Sequence, residues 1–437
     1  MTEKEAAAIR KLIQPLRGDL KRLLQSLVRT NSVAIPPGGN ETPAQLLLQD
    51  FLCEYGVKST LYDTHFIEKS GNPLVRQLVR KNRSYRGRKN LSAHLAGTGR
   101  GKSILLSGHM DTVPAGRTPW SRSPWSGKAE GKRIHGLGSF DMKGGLVANT
   151  AVLCALTRAG LRPPGDLLFE SVVDEEYGGG GGTIAARLRD EIHGRPDACI
   201  IPEGTQLEVY RATRGGFVVD LTVDAGDPAG YFSRAEVVSP ALPLGRLLGW
   251  VGEIAKLRAQ IKPASAYAAF PDPVPVQVLA VESSTLALDV PLSVPSRAAL
   301  RVYFQFLPEE DVDAVIVAIH NNLNAFCAAD PFFTQYPVDW KPLIGGPLYG
   351  HELAHDHPFT RCVAESATAV LHRTAVVTAA PYPCDAGLIH RDFGIPTLLF
   401  GPCGAGAHNA DEYVEFDSVI QTAEVLLAAA LSWNGNR

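Results

Sequence analysis

Residues 103–111 read SILLSGHMD. An apolar run, Ile104 to Leu106, closes on Ser107 and Gly108, and two reactive side chains, His109 and Asp111, follow two residues apart. Four further segments repeat the arrangement: RIH at 133–135, LLFESVV at 167–173, ACIIP at 198–202 and TLLFG at 397–401. Each is followed within one to eight residues by a histidine or a carboxylate. Short apolar runs alternating with helical stretches are the pattern of a sheet built from βαβ units. In such an open α/β sheet the ligand crevice lies beyond the carboxyl ends of the strands, so side chains distant in sequence converge there. The residues leaving these ends are His109 and Asp111, Asp141, the triplet Asp174-Glu175-Glu176, Glu203 and His408. They are expected to form one site.

Ahead of this frame, residues 3–28 place Ile9, Leu12, Ile13, Leu16, Leu20, Leu23, Leu24 and Val28 on one face of an amphipathic helix. A loop with Pro36, Pro37, Gly38 and Gly39 ends it, and a second helix runs from about Pro43 to Tyr55. Between about 214 and 339 the pattern changes to strand-like segments (217–223, 276–281, 299–306) and two helices near 240–260 and 309–326, with none of the site candidates among them. The chain then returns through a helix near 358–373. The expected organisation is a catalytic domain in two parts, 1–213 and 340–437, interrupted by a smaller α/β domain at 214–339.

The 437 residues are 45% hydrophobic and 20% charged, with 43 Lys+Arg against 45 Asp+Glu for a net charge of -2. That balance argues against a nucleic-acid-coating or polybasic membrane-binding chain and directs attention to a small-molecule substrate in a pocket. The seven cysteines are scattered and never form C-x-x-C, which points to a reduced, cytoplasmic protein. The N-terminus lacks the apolar core of a signal peptide, and no apolar run approaches the roughly 18 residues of a membrane span.

His109, Asp141, Glu176, Glu203 and His408 supply two imidazoles and three carboxylates, a nitrogen and oxygen donor set suited to Zn²⁺ first and to Mn²⁺ or Co²⁺ next. Three carboxylates against two divalent ions leave a charge that one bridging hydroxide neutralises, so two ions are expected. Asp141, in the tight GLGSFD turn at 136–141, is the natural bridge. With two-residue spacing on an extended strand end, the Asp111 carboxylate is expected to accept the second N–H of His109. Glu175 and Glu176 are adjacent and must point differently, so one can bind metal while the other moves a proton.

HMD at 109–111, GSFDMKGG at 138–145, DEEYGGGG at 174–181, PEGT at 202–205 and AHNADEYV at 407–414 occur in that order. Together they resemble the dinuclear zinc amidohydrolases that include acetylornithine deacetylase, succinyl-diaminopimelate desuccinylase, aminoacylase and glutamate carboxypeptidase. The resemblance spans about residues 20 to 430. It implies a mixed-sheet, zinc-peptidase-like α/β catalytic domain with an inserted α/β lid domain through which two chains pair as a homodimer. It places His109 and Glu203 on one metal, Glu176 and His408 on the other, and Asp141 between them, with Asp111 supporting His109. It makes Glu175 the general base, then acid, as metal-bound hydroxide attacks an amide carbonyl. The expected activity is hydrolysis of a C–N bond in an N-acyl amino acid or related small molecule.

The departures concern the lid. Where the family carries a Gly-x-x-x-His, alignment on Gly226 puts Gly230 at the histidine. Where it carries a carboxylate-clamping Arg three residues before a Pro, alignment on Pro308 puts Gln305, and Leu292 replaces a common Asn. Either Arg297, Arg301 or Arg234 takes over the clamp, or the substrate is atypical: a dipeptide, or an amine on an activated ring. From other classes, the chain could be a non-catalytic metal-binding subunit, or a zinc protease through His351 and His355 of HELAH. Gly345, Gly346, Pro347, Gly350 and Pro358 crowd that motif and leave little room for a helix. GTGRGKS at 97–103 mimics a phosphate loop but leads into a strand, so nucleotide binding is rejected. The basic run Arg76, Arg80, Lys81, Arg83, Arg86, Arg88 and Lys89 reads as a solvated face, and His390 with Cys384-Asp385 as candidate pocket lining.

Overall fold

The computed structural model describes residues 2–79, 83–178, 181–189, 195–225, 238–264, 266–283, 294–343 and 346–434. The chain divides into two compact units, residues 1–213 with 351–437, and residues 214–350. The strands used below are, in chain order, β1 (Ser59–Asp63), β2 (Lys89–Leu95), β3 (Ile104–Leu106), β4 (Leu167–Ser171), β5 (Ala198–Ile201), β6 (Val209–Tyr210), β7 (Gly215–Asp224), β8 (Val276–Glu282), β9 (Arg297–Phe306), β10 (Val338–Pro342), β11 (Val377–Thr378) and β12 (Thr397–Leu399). The helices are α1 (Glu3–Ile13), α2 (Arg17–Arg29), α3 (Thr42–Glu54), α4 (Gly144–Ala159), α5 (Ala241–Arg258), α6 (Val312–Ala328), α7 (Pro358–Leu371), α8 (Asp385–Phe393) and α9 (Phe416–Ser432).

The larger unit is built on an eight-stranded mixed sheet in the order β11-β6-β12-β5-β3-β4-β2-β1. Its centre, β12-β5-β3-β4, is parallel throughout, and every residue of these four strands is buried. Burial on both faces explains why they read as continuous apolar runs instead of alternating. α4 and α9 pack against each other and are buried almost all round, so their apolar residues carry little periodicity. The RIH run departs from expectation. Residues 133–135 form a strand, but in a separate four-stranded antiparallel sheet with 128–130, 413–415 and 404–405. The opening helix is also two helices. Pro15 starts a 3-10 turn over Gln14–Leu16 between α1 and α2, since proline has no N–H to continue the ladder.

The smaller unit is a four-stranded antiparallel sheet, β8-β9-β7-β10, with α5 and α6. Its core joins Val219, Leu221, Val302 and Phe304 with Leu247, Trp250, Ile254, Ile319 and Leu323. It extends to Gly350, past the boundary expected at 339, because β10 pairs with β7 from Val338 to Pro342. That strand escaped notice because VDWKP carries only two apolar residues and a proline. The chain leaves the larger unit at Thr213 and re-enters at His351, and these two residues are antiparallel partners. No described helix is long and apolar enough to cross a membrane.

Candidate active site

The four parallel strands deliver their polar residues to one cavity of about 220 Å³, lined by Asp141, Glu175, Glu176, Glu203 and His408 among others. His109 follows β3 and is 1% exposed. Its Nε2 lies 3.1 Å from Asp141 Oδ1 and 3.6 Å from Glu203 Oε1. His408 Nε2 lies 3.1 Å from the other oxygen of Asp141 and 2.9 Å from Glu176 Oε2. Two sets of ligand atoms result, His109/Asp141/Glu203 and Asp141/Glu176/His408, each within 4.8 Å of one another. Asp141 belongs to both and turns one oxygen to each.

Local backbone geometry explains these placements. Asp141 sits in an extended conformation (φ -116, ψ 94) within the turn Ser139–Lys143, which Gly138 enters at φ +76. The Asp141–Met142 peptide is cis. Glu203 is held where backbones nearly touch: a Cβ on Gly401 would stand 1.9 Å from the Glu203 carbonyl oxygen, so glycine alone allows the loop after β12 to pass.

Asp111 does something other than the expected pairing. His109 Nδ1 donates to the main-chain carbonyl of Asp111 at 3.0 Å, while the Asp111 carboxylate stands off at 3.7 Å. That carboxylate accepts the amides of Glu175 and Glu176 at 3.2 and 3.1 Å. It therefore ties the β3 end to the Glu175-Glu176 turn. Glu175 Oε1 accepts the amide of Asp385 at the start of α8, at 3.2 Å, and its Oε2 lies 3.9 Å from His109. Adjacent in sequence, Glu175 and Glu176 thus face different partners.

Burial pushes the Glu175 carboxyl well above its ordinary value, against the opposing charge of His109. Burial and the neighbouring Asp141 push Glu203 up to about 7. Burial also acts to raise Asp141, but hydrogen bonds from His109 and His408 outweigh it and hold the group below the usual carboxylate range. The charge of Glu176 lifts His408 to about 12. Four carboxylates thus crowd two imidazoles. This surplus of buried negative charge on N and O donors fits divalent cations. Which cation fills it is a question of affinity.

The rival motif takes no part. His351 and Glu352 form a two-residue strand, not a helix. His351 is 3% exposed, accepts from Thr213 Oγ1 at 2.9 Å and donates to the Thr397 carbonyl at 3.0 Å, while His355 is exposed. The basic run also needs correction. Arg80 and Lys81 lie outside the described residues, but Arg83 and Arg88 are buried. Both pair with Asp174, and Arg88 also with Glu41, beside the Glu175-Glu176 turn. Residues 97–103 form a loop leading into β3. Of the candidate lining residues, Cys384 lines the cavity and Asp385 meets Glu175, whereas His390 lies against His351 in a tilted arrangement with ring centroids 5.0 Å apart.

In the smaller unit Gln305 is 5% exposed and accepts a hydrogen bond from Arg214 Nη1 at 3.1 Å. Arg301 pairs with Asp220 at 2.7 Å, and Arg297 is exposed. Gly226, Gly230, Arg234 and Leu292 lie outside the described residues. Three lining or supporting residues escaped the sequence reading: Phe140, Tyr382 and Glu412. Phe140 and Glu412 stand inside the quoted motifs, next to Asp141 and four residues after His408, so position was the available signal. Tyr382 had none.

Residues 105–432 match the family described as Peptidase family M20/M25/M40. Acetylornithine deacetylase of Salmonella typhi is 28% identical over 351 residues, 78% of this chain and 83% of its own. Human carnosine dipeptidase 1 superposes with a TM-score of 0.76 at 14% identity, covering 99% of this chain and 100% of that one. A dinuclear metal-binding peptidase of the M20 family from Bacillus subtilis superposes at 0.58 and 13% identity over 96% and 98%. At these identities the two structures share the fold.

Proposed function

We propose that this chain, which belongs to peptidase family M20/M25/M40 and so is a hydrolase of C–N bonds, cleaves the amide of an N-acyl amino acid or related small molecule. The observation that carries the reading is Asp141, which presents one oxygen to the His109/Glu203 set and the other to the Glu176/His408 set. Those five residues would hold two divalent cations, zinc first, with Mn²⁺ or Co²⁺ as alternatives, and Asp141 shared. The cations would supply Lewis-acid polarisation of the scissile carbonyl and acidification of water.

The remaining work falls to side chains. Glu175, raised by burial and fixed by the Asp385 amide, takes the proton of the attacking water and returns it to the leaving nitrogen. Asp111 keeps Glu175 and Glu176 in register by holding both amides. Phe140, Tyr382 and Pro383 line the cavity beside them.

The acyl amino acid reading draws on the acetylornithine deacetylase relative. A dipeptide, or another C–N bond in a substrate without the usual carboxylate, is the second reading. Within that reading, a substrate lacking the carboxylate is favoured by Gln305, a neutral side chain engaged with Arg214 where the family resemblance implies a clamping Arg. Pairing of two chains would use β8, an edge strand among the described residues, whose Val278, Leu279 and Val281 are exposed. The free thiols support a reducing, cytoplasmic setting.

The test is metal content by elemental analysis of wild type and His109→Ala, coupled to a hydrolysis screen of N-acyl amino acids, dipeptides and carboxylate-free amides. The expected result is two ions per chain, lost or halved in the variant, with turnover confined to one amide class. Metal retained in His109→Ala would overturn the site. Turnover of dipeptides alone would replace the first reading by the second.

A further inference from the structure

Two loops meet at the shared carboxylate, one carrying Asp141 and the other His408, and a residue outside both ligand sets joins them. Glu412 is 1% exposed, and among the described residues no Lys, Arg or His forms an ion pair with it. Its Oε2 accepts the amide of Gly138 at 2.8 Å, and its Oε1 accepts those of Phe140 and Asp141 at 2.8 and 3.0 Å. Its own carbonyl accepts the amide of Gly136 at 2.9 Å. Four main-chain amides of the 136–141 turn, which has no helix or strand ladder there to satisfy them, therefore end on one residue. Glu412 lies four residues from His408 in a turn closed so tightly that a Cβ on Gly406, at φ +83, would stand 2.9 Å from the Glu412 Cα.

We infer that Glu412 is a positioning residue, which sets the direction of the Asp141 carboxylate and its separation from His408. The inference rests on the reading of Asp141 as the shared ligand of two cations. The chemistry requires an acid rather than its amide. A carboxylate offers two acceptor oxygens to three converging donors, whereas a glutamine offers one and turns an NH₂ group against an N–H. With the turn released, Asp141 no longer divides its oxygens between the two sets, and both sets weaken together.

The experiment compares wild type, Glu412→Gln, Glu412→Asp and Val425→Ala, a core truncation on α9 that lowers stability without touching the turn. Each protein is stripped by chelation, checked for folding by circular dichroism and denaturant titration, and titrated with Zn²⁺ and with Co²⁺. Bound ions are counted and the Co²⁺ absorption spectrum recorded. Wild type and Val425→Ala are expected to bind two ions with the same affinity and spectrum. Glu412→Gln is expected to bind roughly 10- to 100-fold more weakly at both sets with an altered spectrum, and Glu412→Asp to fall between. Wild-type affinity in Glu412→Gln, or equal weakening in Val425→Ala, would overturn the inference while leaving the site intact. Failure of both Glu412 variants to fold would make the residue structural and also overturn it. A wild type that binds no metal would instead sink the site reading.

Discussion

Glu175 and Glu176 are chemically identical neighbours separated in role by what touches them. Glu176 meets His408, while Glu175 meets a helix-terminal amide, and burial raises both carboxyls. Glu175→Gln keeps shape and hydrogen bonding but cannot take a proton, so kcat is expected to fall by about 10²- to 10⁴-fold with two ions still bound. Steady-state kinetics beside elemental analysis decides it, and metal loss in step with activity would move Glu175 into the ligand set. Asp111→Asn tests the other half of the turn. Each carboxylate oxygen receives one amide, so the asparagine turns an NH₂ group against one of them, and a drop of about 10- to 100-fold in metal affinity or activity is expected.

Among the elements, the strand ends were the legible part. β3, β4, β5 and β12 each announce themselves by an apolar run and hand over a polar residue, and the structure gathers those residues. What stayed hidden was contact between segments without pattern. The Asp111 carboxylate turned to a neighbouring loop because its backbone carbonyl already met His109. Arg83 and Arg88 looked solvated because charge runs usually are, and only the fold shows Asp174 and Glu41 waiting beneath. Arg88→Met would leave both carboxylates buried with a partner removed, a loss of about 3–5 kcal/mol visible in chemical unfolding. A loss below about 1 kcal/mol, the size of an exposed pair, would mean the cluster is wetted. His351 gives the pH signature. Burial, then the nearby His390, depress it from an ordinary 6.5 to about 3, so between these values the unfolded chain binds a proton the folded chain refuses. Its contribution is complete above pH 6.5 and falls by up to about 1.4 kcal/mol per unit as pH drops. The stability gap between wild type and His351→Gln is therefore expected to narrow from pH 7 to pH 5. A gap independent of pH would contradict the burial.

For the whole molecule, the insertion point makes a strong prediction. Thr213 and His351 are neighbours across an antiparallel pair, and residues 214–350 have a core of their own. A chain in which Thr213 is joined to His351 by a short Gly-Ser linker is expected to fold and bind metal, and the excised 214–350 to melt cooperatively. A linked chain that aggregates or binds no ion would show that the larger unit depends on the smaller. The order of the large sheet has another consequence, which concerns synthesis. β12 lies between β5 and β6, yet it is made after the entire insertion. At about 5–20 residues per second, a ribosome needs on the order of 10–40 s to travel from Tyr210 to Leu399. Throughout that interval the ACII strand at 198–201 presents a bare apolar edge, and the nascent pocket lacks His408. A transcript that stops or stalls there releases a chain with an open sheet, poised to pair with any strand it meets.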